Sequence, residues 1–594
     1  MIFTCLLHGI YSTIVAFLLS LIFGALSPAI ALVSLIIGTC LAYWHSREFL
    51  ASDSRLRFRS LSPGLAGVME FGILIFILFA AYRHFMWLLF PADFFWKTLS
   101  PNNLGDLPLH INYIRSLAQG ISFPPHNPIF SSELLRYPYG VDLYSALWEA
   151  LGFRLQAHLF IVGLFATAAS LTLLKRFGSW WAMGAFFLSG GLAGWSVLTG
   201  APLENFQAAV DWKNLFLAVF ITQRGMLFTL PLGLWLLVTV RAYFQGDTSL
   251  SRRQWTALGL GWGFLPLFHL HAFAIVSALL LFTVFECRGL AGLLSLIKSQ
   301  LTLIAVLPAT LLILFSTNFF QAAGVSHLSW GWTFNHGATN LLSVTALVFS
   351  FFNFLFFNFG PWLFLPFILA VSIFYSKNGM IPEKRRKLFF ELGVYTVLFA
   401  TFMNLMLAPW AWDNIKILIW PYLGFARISW LVFEPLFKTK LELLERGVVA
   451  VLLFLSGTVS ILFSMQSPAQ QSVSIFSFSE LANVEGALSG IEPNAVFVAA
   501  PSFAHPLAYY GRLRVLGYAG HLFSYGIDSR EVEAKLKRIM DGDLDSLRLA
   551  KELKANYIFW GPEERTMYGD HVRSWMKELA NVSRVPGYEV YAVK

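Results

Sequence analysis

The sequence predicts a polytopic α-helical membrane protein of about 13 transmembrane helices, closed by a C-terminal α/β domain on the outer side. Three observations carry this. Hydrophobic residues make up 57% of the 594 positions and charged residues only 13%, too few to clothe a water-soluble globule of that length. Aromatic residues reach 16%, with 59 phenylalanines, a composition suited to helices packed in lipid with Trp and Tyr at the interfaces. Lys and Arg gather in alternate short loops between apolar runs, and the chain turns polar for good only after Met465. The net charge of +9 is therefore a topology signal, and no nucleic-acid partner is inferred. Cys5, Cys40 and Cys287 lie in or beside apolar runs, which offers neither a disulfide framework nor a thiolate zinc site.

The apolar stretch Ile2 to Trp44 has no basic leader and no convincing small-residue cleavage site, so it reads as retained membrane helices. Segments long enough to cross, or nearly cross, a core of ~30 Å follow at 8–26, 29–44, 64–90, 155–174, 180–198, 226–243, 255–268 with 272–286, 300–316, 361–376, 389–408, 417–433 and 447–465. The stretch 341–357 is a further candidate. By the positive-inside rule the loops at Arg47 to Arg59, Lys175-Arg176, Arg252-Arg253, Arg288, Lys377 to Lys387 and Lys438 to Arg446 face the cytoplasm. The N-terminus is then cytoplasmic, the protein a multi-pass cell (inner) membrane protein, and 91–154, 199–225, about 317–358, 409–416 and everything after Met465 lie outside.

Chemistry-bearing residues fall on that outer side. Gly105-Asp106 followed by Pro108 reads as a helix entry capped by Asp106. Asp106, His110 and Tyr113 then share one face at i, i+4 and i+7. A carboxylate and an imidazole there suit metal binding, proton transfer or support of a cationic transition state; the plain alternative is a helix cap and a packed histidine. The same loop continues through Ser122-Phe-Pro-Pro-His126 to Arg136-Tyr137-Pro-Tyr-Gly140, turn-rich and aromatic. Arg224, at the mouth of a helix, is placed either to pair with a phosphate or to snorkel at the interface. His269-Leu-His271 lies in an apolar hairpin, where polar side chains are costly and often functional; two residues apart on a helix they diverge by about 200° and would not chelate one metal together. His327 and His336, near Trp330 and Trp332, read as an aromatic belt. The turn Trp410-Ala-Trp-Asp413-Asn414-Ile-Lys416 makes a compact polar head suited to an anionic lipid headgroup, or an ordinary charged turn.

Residues 466–479 are rich in Ser and Gln and read as a linker between a membrane domain, 1–465, and a soluble domain, 480–594. In the latter Ala495-Val-Phe-Val and Asn556-Tyr-Ile-Phe-Trp look like buried strands, with helices at Glu531 to Met540 and Leu544 to Leu553. Arg512, Tyr518 and His521 lie in a stretch of glycine, aromatics and cations that suits sugar stacking or phosphate contact, or a tight βα connection.

With Gly105-Asp106 and His110 in the first outer loop, Tyr137-Pro-Tyr-Gly140 closing it, Trp412-Asp413-Asn414-Ile-Lys416 late in the bundle and Gly511-Arg512 and Gly517-Tyr518 beyond it, the chain resembles the GT-C superfamily of integral membrane glycosyltransferases, and most of all its uncharacterised bacterial members. The resemblance implies inverting transfer of a sugar from a polyprenyl-phosphate-linked donor to a glycan, lipid or protein acceptor, with Asp106 as general base. It makes Asp106 and His110 the catalytic pair. Arg224, Asp413, Asn414 and Lys416 then meet the donor phosphate or membrane lipid, and Arg136, Tyr137, Arg512, Tyr518 and His521 the substrate, with His269 and His271 in reserve. The first outer loop lacks a D-x-D or Asp-Glu pair, so no cofactor is fixed and a divalent metal stays an option. No W-W-D stands in the C-terminal region, which argues against transfer to asparagine. A multi-pass transporter or flippase, and a non-catalytic membrane scaffold with a carbohydrate-binding ectodomain, are the alternative readings.

Overall fold

The computed structural model describes residues 2–52, 64–99, 101–206, 210–298, 305–319, 328–331, 344–375, 381–407, 409, 411–437, 441–466 and 472–593. His327, His336, Trp332, Arg55, Arg57, Arg59, Lys377, Lys438 and Lys440 lie outside them, as does the side chain of Asp413. Among the described residues nine helices are long and apolar enough to cross a membrane, fewer than the number expected from the sequence.

The differences have local causes. The segments expected at 155–174 and 180–198 are two helices within Leu155–Phe187, parted by the non-helical Gly178 and Ser179, and the second gives way to a 3-10 turn at Ala193–Thr199. Lys175 stands just before that break and reaches the buried Glu70 carboxylate at 3.0 Å. The expected 255–268 span is two shorter helices, Arg252–Gly263 and Leu265–Phe268, and the 300–316 span contributes Leu307–Ser316. The further candidate at 341–357 is helical over Val344–Phe359 and joins Leu365–Tyr375 through a 3-10 turn.

Burial orders the bundle. The apolar window of Gly225–Phe244 is 89% buried, whereas that of Glu442–Ser464 is 33% buried, so the former is central and the latter presents most of its surface outward. The side chains of Gly225–Phe244 are apolar nearly all round and most of them are buried, the signature of a helix enclosed by its neighbours.

Between the membrane-crossing helices Leu65–Met86 and Leu155–Phe187 the chain forms the short helices Asp106–Ala118 and Gly140–Ala150 and a small hairpin, His126–Asn127 with Phe130–Leu134. Strands Phe90–Ala92, Phe95–Thr98 and Val473–Ser477 make an antiparallel sheet. The region 466–479, read as a linker, therefore contains a paired strand: alternating Val473, Ile475 and Ser477 find a sheet edge that composition alone does not reveal. Beyond it, Val496–Val498, Leu513–Arg514, Tyr557–Trp560 and Glu589–Ala592 form a four-stranded sheet in which the last strand is antiparallel and the others parallel, with short helices between them.

This C-terminal region is bound to the Asp106 helix and the hairpin after it. The Arg115 guanidinium stacks 3.9 Å over the Tyr509 ring and donates to the Tyr509 carbonyl at 2.8 Å. Gln119 donates to the Tyr510 carbonyl at 2.7 Å, and the backbone N–H groups of Arg514 and Gly517 donate to Pro128 and Ile129 at 2.9 and 2.7 Å. Residues far apart in sequence thus meet at one end of the bundle.

Candidate functional site

The Asp106 helix starts from Gly105, the N-cap, which supplies no side-chain cap. Asp106 is the first helical residue, so the capping role expected of it is corrected: a carboxylate inside the first turn complements the helix dipole without closing the cap. Asp106 is half-buried, and one turn further His110 is 2% exposed.

His110 points at a residue the sequence reading missed. Its Nδ1 lies 2.8 Å from Oδ2 of Asp142, which is 1% exposed in the Gly140–Ala150 helix. The other carboxylate oxygen accepts from Arg224 Nε at 2.9 Å, and Arg224 Nη2 donates to Ser145 Oγ at 2.6 Å. The carboxylate accepts from both sides, so Nδ1 carries the proton in neutral His110 and its Nε2 presents a lone pair. His110 makes no other hydrogen bond among the described residues. Arg224 is likewise corrected: at 2% exposure it does not snorkel but locks two helices together through Asp142 and Ser145.

Two glycines let these pieces close. A Cβ on Gly140 would stand 2.9 Å from the Leu267 carbonyl, and one on Gly225 would stand 2.3 Å from the Phe268 carbonyl, distances real side chains do not tolerate. Both helix starts therefore abut the Leu267–His269 segment. His269 itself is extended (φ −166°, ψ 110°) between two helices, so the 200° divergence expected for a continuous helix does not apply. The rings of His269 and His271 come to 5.8 Å, and His269 Nδ1 accepts from the Ala272 N–H at 3.2 Å, capping the helix that follows. The charge of Lys416 acts on His269, which brings the start of the late helix Ala411–Phe433 to the same neighbourhood. Asn414 is 3% exposed and accepts from the Leu407 N–H at 2.6 Å, so it anchors the preceding turn rather than presenting itself to a headgroup.

An aromatic wall stands over His110. Tyr137 lies 5.6 Å from both His110 and Tyr113, and Tyr525 of the C-terminal region lies 5.2 Å from Tyr137. Burial pushes the Tyr525 phenol up, and the nearby Tyr113, Tyr137 and Asp106 add to the shift. His521 Nε2 sits 3.6 Å from where a Gly105 Cβ would stand. Burial, then repulsion from His110 and Arg514, lowers the His521 pKa to about 4, so it is neutral at pH 7. Asp106, His110, Tyr137 and His521 thus lie around one spot, floored by Asp142 and Arg224.

The other expected site residues have partners of their own. Arg136 pairs with Glu133, three residues earlier. Arg512 Nη1 donates to the Glu492 carbonyl at 2.6 Å, a bond within the C-terminal region, so it is a structural clamp there. Tyr518 is 44% exposed, edge-on to His521 at 5.2 Å. Among the described residues no three His, Cys, Asp or Glu side chains cluster tightly enough to hold a metal.

Deeper in the bundle, an apolar groove of about 610 Å³ is walled by Phe359, Trp362, Met403, Tyr422 and Phe425. Tyr422 follows Lys416 by six residues on one helix, which puts the groove about 9 Å below the Lys416 level.

No family model matches the chain, and no curated protein matches it. Among solved structures it is similar to the apo crystal structure of the Archaeoglobus fulgidus oligosaccharyltransferase, with 11% identity, a TM-score of 0.39, and 82% of this chain and 69% of that chain covered.

Proposed function

We propose that the chain is a membrane glycosyltransferase that moves a sugar from a polyprenyl-phosphate-linked donor to an acceptor hydroxyl on the outer face, with inversion. The observation that carries this reading is the convergence, at one end of an apolar bundle, of a half-buried carboxylate, a buried histidine oriented by Asp142 and Arg224, and a wall of tyrosines. Asp106 takes the proton of the acceptor hydroxyl as its oxygen bonds to the anomeric carbon. The bond from that carbon to the donor phosphate breaks, and the lipid phosphate leaves with the electron pair. Asp106 suits the base role better than His110 because it is the more accessible of the two.

His110 is a positioning residue in this scheme: the Asp142 carboxylate fixes its tautomer, and its Nε2 makes no hydrogen bond among the described residues. Tyr137 and Tyr525 give apolar faces for a sugar ring, and Lys416 supplies a cation for the departing phosphate. The apolar groove below Lys416 fits an isoprenoid tail.

The break at His269 favours a second reading, a transporter with an unwound helix at a substrate site. Purified full-length chain, assayed with polyprenyl-phosphate sugars, separates the two. Asp106→Asn is expected to lose about 10²-fold or more in transfer rate with an unchanged melting temperature. Full activity in that variant removes Asp106 from the base role. Substrate flux across proteoliposomes without any new glycosidic bond favours the transporter.

A further inference from the structure

At the opposite end of the bundle a second polar constellation surrounds a cavity that the transfer reaction does not use. Arg241 lies seventeen residues beyond Arg224, about 25 Å along the same helix. It lines a cavity of about 340 Å³ together with Lys175, Arg176, Arg427, Leu237 and Trp430, within the size range of small-molecule sites. Gln245, exposed at the end of the Gly225–Phe244 helix, marks its open edge.

Four cations line this cavity and no carboxylate does. The balancing acids stand behind the wall: Glu70 takes Lys175 at 3.0 Å and the Ser179 hydroxyl at 2.7 Å, while Glu286 and Glu391 hold Arg241, the former at 3.2 Å. Three carboxylates thus hold Lys175 and Arg241 in place, and none of them lines the cavity. Arg427 donates through Nη1 to the Phe177 carbonyl at 3.0 Å, but its buried Nε has no hydrogen-bond partner among the described residues and sits 3.9 Å from Glu391. A buried guanidinium N–H without an acceptor costs about 1–3 kcal/mol unless a ligand or water accepts from it. Apart from Thr172 and Gln245 the rest of the lining is apolar, with Leu237 and Trp430 beside the charges.

A wall of guanidinium and ammonium groups with an apolar flank matches a phosphate ester attached to a hydrocarbon chain. We propose that this cavity binds the phosphate of an anionic lipid at the end of the bundle remote from the His110 site, independently of whichever reaction that site performs. The same phosphate chemistry is offered by free inorganic phosphate, and the two sources separate in one experiment.

Delipidated full-length protein in a neutral detergent is titrated with dioctanoyl phosphatidic acid, inorganic phosphate and dioctanoylglycerol, and bound species are counted by native mass spectrometry. One saturable phosphatidic acid is expected, with no uptake of the uncharged diglyceride. Displacement by equimolar inorganic phosphate assigns the site to free phosphate; failure to displace assigns it to a headgroup. Arg176→Gln is expected to weaken binding about tenfold, Arg176→Lys by less, and Arg548→Gln, exposed in the C-terminal region, not at all. Equal binding to wild type and Arg176→Gln overturns the proposal, as does the absence of saturable binding. Should Arg176→Gln not fold, a diazirine-bearing phosphatidic acid cross-linked to the wild type decides: adducts within 237–245 and 427–431 support the site, and adducts solely elsewhere refute it.

Discussion

Among the described residues, two histidine–carboxylate pairs are almost wholly shut off from solvent on both sides, and their surroundings differ. In the C-terminal region His505 and Glu564 are both fully buried, with Nε2 to Oε1 at 2.9 Å. His505 Nδ1 accepts from the Leu507 N–H at 3.1 Å, and Glu564 also accepts from the backbone N–H groups of Ala500 and Gly561 at 2.7 and 2.9 Å. Both imidazole nitrogens and both carboxylate oxygens are engaged. The His110–Asp142 pair is nearly as buried, yet the carboxylate accepts from side chains on two other elements and the second imidazole nitrogen has no hydrogen bond among the described residues. A saturated pair holds a fold together; a pair with an open valence at the foot of an aromatic wall is built to meet something else.

The sharpest way to break this contrast is to disarm each carboxylate in turn. Asp142→Asn puts an amide N–H against either His110 Nδ1–H or Arg224 Nε–H, so His110 loses its orientation and a buried cation loses its partner. Transfer is expected to fall on the order of 10²-fold or more, and stability by as much as about 3–5 kcal/mol. The check is to measure rate and melting temperature on the same preparation; a normal rate in a folded variant would make the His110 pair as purely structural as its counterpart.

Glu564→Gln is the mirror case, since it opposes a backbone N–H with an amide donor. It is expected to destabilise the C-terminal region by about 2–3 kcal/mol while leaving kcat unchanged below the melting transition. Burial alone would raise the Glu564 pKa, but His505 and the two backbone N–H donors outweigh it and hold it below the ordinary carboxylate value. Its stabilisation is thus complete above the unfolded carboxylate pKa and is lost as pH falls through the lower, folded value. Acid melts of wild type and Glu564→Gln should converge there; parallel curves would deny the pair its role.

His521, on the boundary between the two regions, has the opposite dependence from a salt-bridged histidine. Its folded pKa, about 4, lies below the ordinary histidine value of 6.5, so protonation favours the unfolded chain. The neutral ring's contribution is fully present above pH 6.5 and declines as pH falls toward 4. His521→Gln should flatten the stability profile across that window, a change that thermal melts in matched buffers would detect; an unaltered slope would mean that the ring is solvated and does not face His110.

How much of this was legible in the sequence follows from the range of each signal. Long apolar runs announce membrane helices locally, and Asp106 and His110 stand out because they are four residues apart. Asp142 did not, because its partners lie 32 and 82 residues away and an acid in the first turn of Gly140–Ala150 reads as an ordinary dipole partner. A carboxylate in an otherwise apolar helix start, one turn before a serine, was the signal available. The extended His269 was hidden for a related reason: Pro266 fixes the preceding turn, but only packing against Gly140 and Gly225 shows where the helix must stop. Arg512 misled in the other direction, since a cation beside glycine suits phosphate and equally suits the carbonyl it holds.

Tyr518 offers the smallest expected effect and the finest division between the two kinds of role. It is 44% exposed, and its ring meets Phe503 and His521 edge-on at 80° and 83°, so it is held in place while much of it faces outward. If it stacks on a sugar of the donor or acceptor, Tyr518→Ala removes an aromatic contact of roughly 0.5–1.5 kcal/mol and raises KM two- to tenfold with kcat unchanged. Tyr518→Phe keeps the stacking face and should retain the wild-type KM. If instead Tyr518 only seals the edge of the C-terminal region over His521, the Ala variant lowers the melting temperature and leaves KM alone. Measuring KM and melting temperature for both variants distinguishes the outcomes, because stacking on a substrate moves the first quantity and packing on the protein moves the second.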